Sequence, residues 1–354
     1  VAQASGARSR GLRQAGRPFA ADERHPVNAR RTPDVRARKT IMTTPQQEAV
    51  LTLCLLAAFA DGGQSELERA ELKRIAATLP DGAVHPATLY QRVLLRQVTP
   101  AAAAAALQTP ELRQLAYEMA VCVCEADDVL NAAEKAFLAD LRRELRLEAP
   151  LAANIEQTAE SLTTTPLAEA DVVPPVTAGA PAAADAELDA LILKYAILAG
   201  ALELMPESLA TMAIIPLQMK LVYTIGKRHG FTLDRGHIKE LLAAAGLGLT
   251  SQVVEGYARK LIGGLLGRAG AGWLKGLGRQ AAGSAMSFAS TYALGHLARR
   301  YYAGGRSLSA VQLRELFGSL TDQARALHGR YAGQIEQQAS QIKLPQLVPL
   351  LKSV

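Results

Sequence analysis

Two acidic turns carry the most regular polar spacing in the chain. Asp61 stands seven residues before Glu68, and Asp127 stands seven before Glu134. Each Glu closes a capping box, Ser65-x-x-Glu68 and Asn131-x-x-Glu134, in which side-chain oxygens take the free N–H groups of a helix start. The thiols offer less. Cys122-Val-Cys124 is a C-x-C pair with no His or second Cys pair nearby to complete a zinc site, and Cys54, Cys122 and Cys124 all fall in apolar helical stretches. They read as small buried hydrophobes. The six histidines (His25, His85, His229, His237, His296 and His328) form no ligand spacing and no nucleophile–base arrangement. No G-x-x-x-x-G-K-[ST] phosphate loop is present, and no paired carboxylates or nucleophile elbow stand out, so the expectation is a protein that is not an enzyme.

The elements that position these residues are helices. The 354 residues are 49% hydrophobic but only 5% aromatic, with Ala and Leu dominant and strand formers scarce, which predicts an all-α fold. Val50, Leu51, Cys54, Leu55 and Phe59 lie on one helical face that ends at Asp61-Gly62-Gly63. Leu115, Met119, Cys122 and Val123 form another that runs into Ala126-Asp127-Asp128, so the helix–acidic turn–helix unit occurs twice. Charge divides the chain. Residues 1–40 hold ten Lys/Arg against three Asp/Glu, 41–184 hold ten against nineteen, and 185–354 hold nineteen against eleven. The basic leader has a single aromatic, Phe19, and no series of them interleaved for stacking on bases, which argues against nucleic acid as a partner. It reads as a disordered tail over 1–41, or as upstream read-through with Met42 as the start. The Pro- and Ala-rich stretch 163–184 coincides with a change of charge sign and reads as a linker. The resulting expectation is two helical domains, 42–162 and 185–354, the second rich in glycine.

The stretches "AAFADGGQSELERAELKRI" and "AVCVCEADDVLNAAEKAFLADL" resemble the TerB-like family, the all-helical tellurite-resistance fold also found at the start of DjlA-type membrane co-chaperones. The likeness spans about 45–150. It implies divalent metal, Ca²⁺ or Mg²⁺, at the acidic turns, which carries over to Asp61, Glu68, Asp127 and Glu134 with Asp128 as an added candidate. Asp128 departs from the pattern, which has Gly there. Ca²⁺ takes six or more oxygens, so two or three carboxylates per turn suffice only if both turns converge. Capping is the competing reading of the same residues.

The C-terminal half is built differently. Eight glycines fall between Gly263 and Gly283, and residues 280–298 carry no charge. Gly283, Ser287, Thr291 and Gly295 recur every four residues, a small-residue stripe that lets helix backbones approach closely. Nineteen uncharged residues are just enough to span a bilayer, but the stretch is only mildly apolar, and a core helix fits it as well. From 255 to 306 one acid, Glu255, stands against Arg259, Lys260, Arg268, Lys275, Arg279, Arg299, Arg300 and Arg306. Such bases suit anionic lipid headgroups, or else a solvated face. The features Ile215-Pro216-x-Gln218, Gly226…His229-Gly230 and Ala293-x-Gly295 before Tyr301-Tyr302-x-Gly304 resemble the GTPase-associated domain of unknown function number six hundred and ninety-seven, seen in YcjF-type inner-membrane proteins. That likeness, over about 186–318, implies membrane association and a separate GTPase among the partners. Together the readings predict a non-enzymatic adaptor in envelope or chemical stress, at the cytoplasmic face of the bacterial inner membrane. Its partners there would be inner-membrane lipid or a membrane protein, with oligomers allowed. The alternative is a soluble metal-responsive sensor with a helical docking domain.

Overall fold

The first helices start where proline permits. Pro45, Pro86, Pro100, Pro110 and Pro150 each occupy the first or second position of a helix, where the missing N–H costs nothing. The helices are α1 (Thr44–Ala58), α2 (Pro86–Leu94), α3 (Pro100–Ala105), α4 (Pro110–Cys124), α5 (Ala132–Glu144) and α6 (Ala149–Thr163). A 3₁₀ turn, Glu125–Asp127, follows α4. The computed structural model describes residues 42–60, 70, 73, 84–128, 130–167, 181–263 and 281–353. Asp61, Glu68, the leader 1–41, most of the 163–184 stretch and the bases Arg268, Lys275 and Arg279 lie outside the described residues.

The remaining helices are α7 (Pro181–Leu204), α8 (Ser208–Met212), α9 (Ile214–Arg228), α10 (Arg235–Ala244), α11 (Leu249–Ile262), α12 (Ala281–Ala303), α13 (Ala310–Gln341) and α14 (Leu347–Ser353). The fold is all-α, with no strand among the described residues. Local chemistry sets the breaks. Pro216 has no N–H for the carbonyl four residues back at Met212, and the chain leaves the helix between Met212 and Ile214. Gly230, at φ +82°, ends α9, and the Phe231 N–H turns back to the Gly226 carbonyl. Asp234 caps α10 by accepting from the His237 N–H at 2.9 Å, and Ser309 with Gln312 closes a capping box on α13.

Helix α12 forms the axis of a bundle, lying against α7, α9 and α13. It contains the uncharged run and is buried or half-buried from Gly283 to Arg299, so in this fold the run is a core helix. The small residues face α7. A Cβ on Gly295 would come within 2.7 Å of the Ile192 side chain, and the Ser284 hydroxyl donates to the Gly200 carbonyl at 3.0 Å. Thr291 accepts from the Gln218 amide of α9 at 3.0 Å. The short α14 docks against α6. Its end is fixed by the buried Lys220 of α9, whose ammonium donates to the carbonyls of Leu351 at 2.6 Å and Lys352 at 2.8 Å.

The described residues fall within Lys39–Val354, which gathers into one compact unit, the larger of two. Within the larger unit the sequence break near 163–184 is not a break in the core. Helices α1 and α4 lie against α11, and α4 lies against α8, so one hydrophobic cluster runs from Val50 and Tyr117 through Tyr257 to Leu297. Gln47 of α1 donates to the Leu261 carbonyl of α11 at 3.0 Å. Tyr257 of α11 donates to the Ser208 carbonyl at 3.1 Å while its ring is buried beneath the N-terminal helices.

Candidate functional site

The acidic turn that lies within the described residues is tied to the other half of the chain. Asp128 sits at φ 68°, the left-handed region that accounts for glycine in the family pattern and that Asp tolerates better than most residues. Its carboxylate meets Arg235 at 2.8 Å and Lys239 at 3.2 Å, both from α10. Lys239 also donates to the Asp127 carbonyl, and Arg235 to the Thr165 carbonyl. Glu134 accepts from the Asn131 N–H at 3.0 Å while Asn131 accepts from Ala133 and Glu134, a complete capping box. A cation at Asp128 would have to displace two resident cations. Among the described residues no group of three or more His, Cys, Asp or Glu is arranged to hold a metal. Beside this turn Glu125 is 5% exposed, and burial, reinforced by Glu160, Asp128, Asp127 and Glu134, pushes its carboxyl up to about 7.

The basic residues separate into two groups. Lys260, read from its sequence neighbours as a headgroup contact, is instead 3% exposed and turned into the protein, because its face of α11 packs on the α7–α8 corner. There its ammonium donates to the Met205 carbonyl at 2.8 Å and the Glu207 carbonyl at 3.3 Å. Arg259 is paired with Glu255 one turn earlier, and Arg299 with Asp189 at 2.7 Å. Arg300 and Arg306 are exposed.

Next to Lys260 lies a feature the sequence reading passed over. Glu203, in the last turn of α7, is 3% exposed, and neither carboxylate oxygen has a hydrogen-bond partner. Burial raises its pKa, opposed but not reversed by Lys260, Arg259 and Ser287. Two glycines flank it, Gly283 at ordinary contact distance and Gly256 where a Cβ would clash with Thr211. A Cβ on Gly283 of α12 would stand 3.4 Å from Glu203 Oε1, and one on Gly256 of α11 would stand 3.5 Å from Oε2 and 2.5 Å from the Thr211 methyl. Glu203, Thr211, Gln252 and Ser287 line a cavity of about 100 Å³, partly open to solvent, whose other walls include Val253, Met286 and Phe317. Thr211 Oγ1 and Gln252 Nε2 are also buried without partners. An isolated carboxylate inside an otherwise apolar helical run was the signal available in the sequence.

The thiols stay out of this chemistry. Cys54, Cys122 and Cys124 are free and buried, and burial pushes all three up, which keeps them protonated.

Residues 10–159 match the family model described as "Protein of unknown function (DUF533)", a TerB-like family. The match covers about two-fifths of the chain and does not reach α7–α14. No curated protein and no solved structure matches the chain.

Proposed function

We propose that the protein is a non-enzymatic adaptor in which a TerB-like half and a C-terminal helical bundle act as one body. The observation that supports this most is α11. One face of it packs on α1 and α4 through Tyr257 and Leu261, while Gln252, Gly256 and Arg259 on another face line the cavity in the bundle. A change on either side of α11 is therefore felt on the other, because packed helices shift together rather than deform. The salt bridges from Asp128 to α10 add a second point of coupling.

The YcjF-type reading of the bundle, the bacterial inner-membrane location and the link to envelope or chemical stress belong to this proposal and rest on the two resemblances. Membrane contact in this reading is peripheral. Among the described residues the one helical stretch long and apolar enough to cross a bilayer, Ser208–Arg228, has 89% of its apolar window buried inside the fold, and α12 is likewise enclosed. Arg300 and Arg306 remain as exposed bases for headgroups. The divalent-metal alternative draws less support, since Asp128 is already held by Arg235 and Lys239. Flotation of the full chain with anionic vesicles is the test. Binding at low salt that high salt reverses is the expected outcome. Failure to float at low salt removes lipid from the proposal, and resistance to both salt and alkaline carbonate replaces peripheral contact with insertion.

A further inference from the structure

The cavity beside Glu203 combines four buried polar atoms that have no partner: both Glu203 oxygens, Thr211 Oγ1 and Gln252 Nε2. Leaving such atoms unmet is costly, because each has given up water without gaining a hydrogen bond. The carboxylate is the most demanding, and Lys260 and Arg259 act on it only through their charge, without a hydrogen bond to either oxygen. Arg259 pairs with Glu255, and Lys260 directs its ammonium at main-chain carbonyls of the α7–α8 corner. The side chains around this corner are therefore short of N–H donors aimed at Glu203.

We propose that this cavity binds a small organic cation bearing N–H donors, an alkylammonium or a guanidinium group. The N–H groups would meet the Glu203 oxygens and Thr211 Oγ1. A volume near 100 Å³ sets the size at about four non-hydrogen atoms, judged against cavities of about 150 Å³ that take benzene. The walls select the class. Val253, Met286 and Phe317 are apolar, which suits an alkyl group or the face of a guanidinium and not a hydrated metal ion that needs six or more oxygens. Gly256 holds the space open, since a Cβ there would press on the Thr211 methyl. The inference goes beyond the adaptor proposal and does not rest on it; a chain that ignores vesicles and binds the cation, or the reverse, tells the two apart.

The test uses the full chain with methylammonium chloride, and guanidinium chloride below denaturing concentrations, against sodium chloride at matched ionic strength. Melting temperature and calorimetry are the readouts. The wild type is expected to show a saturable rise in melting temperature with the organic cations and none with sodium, as binding to the folded state alone requires. Glu203→Gln is expected to abolish the saturable response while keeping the helical signal. No saturable response in the wild type means a cavity holding water only and overturns the proposal, as does a folded Glu203→Gln that still responds. If Glu203→Gln fails to fold, Thr211→Val decides, because it removes a hydroxyl with no partner and keeps the shape. Binding weakened about tenfold upholds the site, and unchanged affinity overturns it.

Discussion

The two halves of the larger unit treat their polar side chains in opposite ways. Among the described residues, all ten buried side-chain nitrogens and oxygens without a partner lie between Tyr195 and His296, and none lies in α1–α6. In the N-terminal half polar groups sit at helix ends, where they meet orphan backbone groups: Thr99 accepts from the Ala102 N–H, Thr109 from the Leu112 N–H, and Asn131 with Glu134 forms its box. In the C-terminal half Glu203, Gln218, Gln252 and His296 sit inside helices and point into the packing. Capped ends stabilise a fold locally. Polar atoms held unmatched in a core are more than a fold needs, and they mark where something else is to be met.

The sharpest way to break this contrast is to remove one charge from each half. Lys260→Ala is expected to lower unfolding free energy by about 3–5 kcal/mol, since it strips the Met205 and Glu207 carbonyls of their donor and leaves Glu203 without its nearest compensating charge. Glu134→Ala is expected to cost only about 1 kcal/mol, the loss of a cap. Urea unfolding of both variants checks the difference, and equal costs would remove it.

The connection between the halves is the next target. Asp128→Ala is expected to cost about 1–2 kcal/mol for a half-buried pair with Arg235 and Lys239. Asp128→Gly should lose less, because glycine relaxes at φ 68° and alanine does not. A double-mutant cycle with Arg235→Ala measures the coupling, and a coupling near zero would mean that the core alone joins the halves.

A further test concerns pH. Glu125 has a folded pKa of about 7 against an ordinary 4.5, so the folded state holds a proton that the unfolded state releases between those values. Its contribution is complete below about 4.5 and fades as pH rises toward about 7. Stability should therefore fall across that window. Glu125→Gln should flatten the slope in part, the rest belonging to Glu118 and Glu203, which burial also raises. An unchanged slope in Glu125→Gln would place the proton elsewhere.

What could be read from the sequence was local. The Asn131 box and the helical class follow from side chains acting within a few residues of themselves. Glu203 escaped because α7 is apolar on every side from Ile197 to Leu204, so periodicity names no outward face on which to place a lone charge. Lys260 was misread for a related reason. A count of bases along 255–306 cannot reveal that one of them turns into the α7–α8 corner, which only tertiary packing decides. The left-handed turn at Asp128 was signalled by the departure from glycine, but its partner lies 107 residues away at Arg235 and leaves no local trace.

The position of Lys220 has a consequence for synthesis. Its acceptors arrive 131 and 132 residues later in the chain, at Leu351 and Lys352. A ribosome releases the N-terminal helices long before those carbonyls exist, and until then α9 would have to bury an ammonium lacking two of its acceptors. The Lys220 anchor can therefore form only after α14 has been made, whereas α1 and α4 gain their cover from α11 about 85 residues earlier in synthesis.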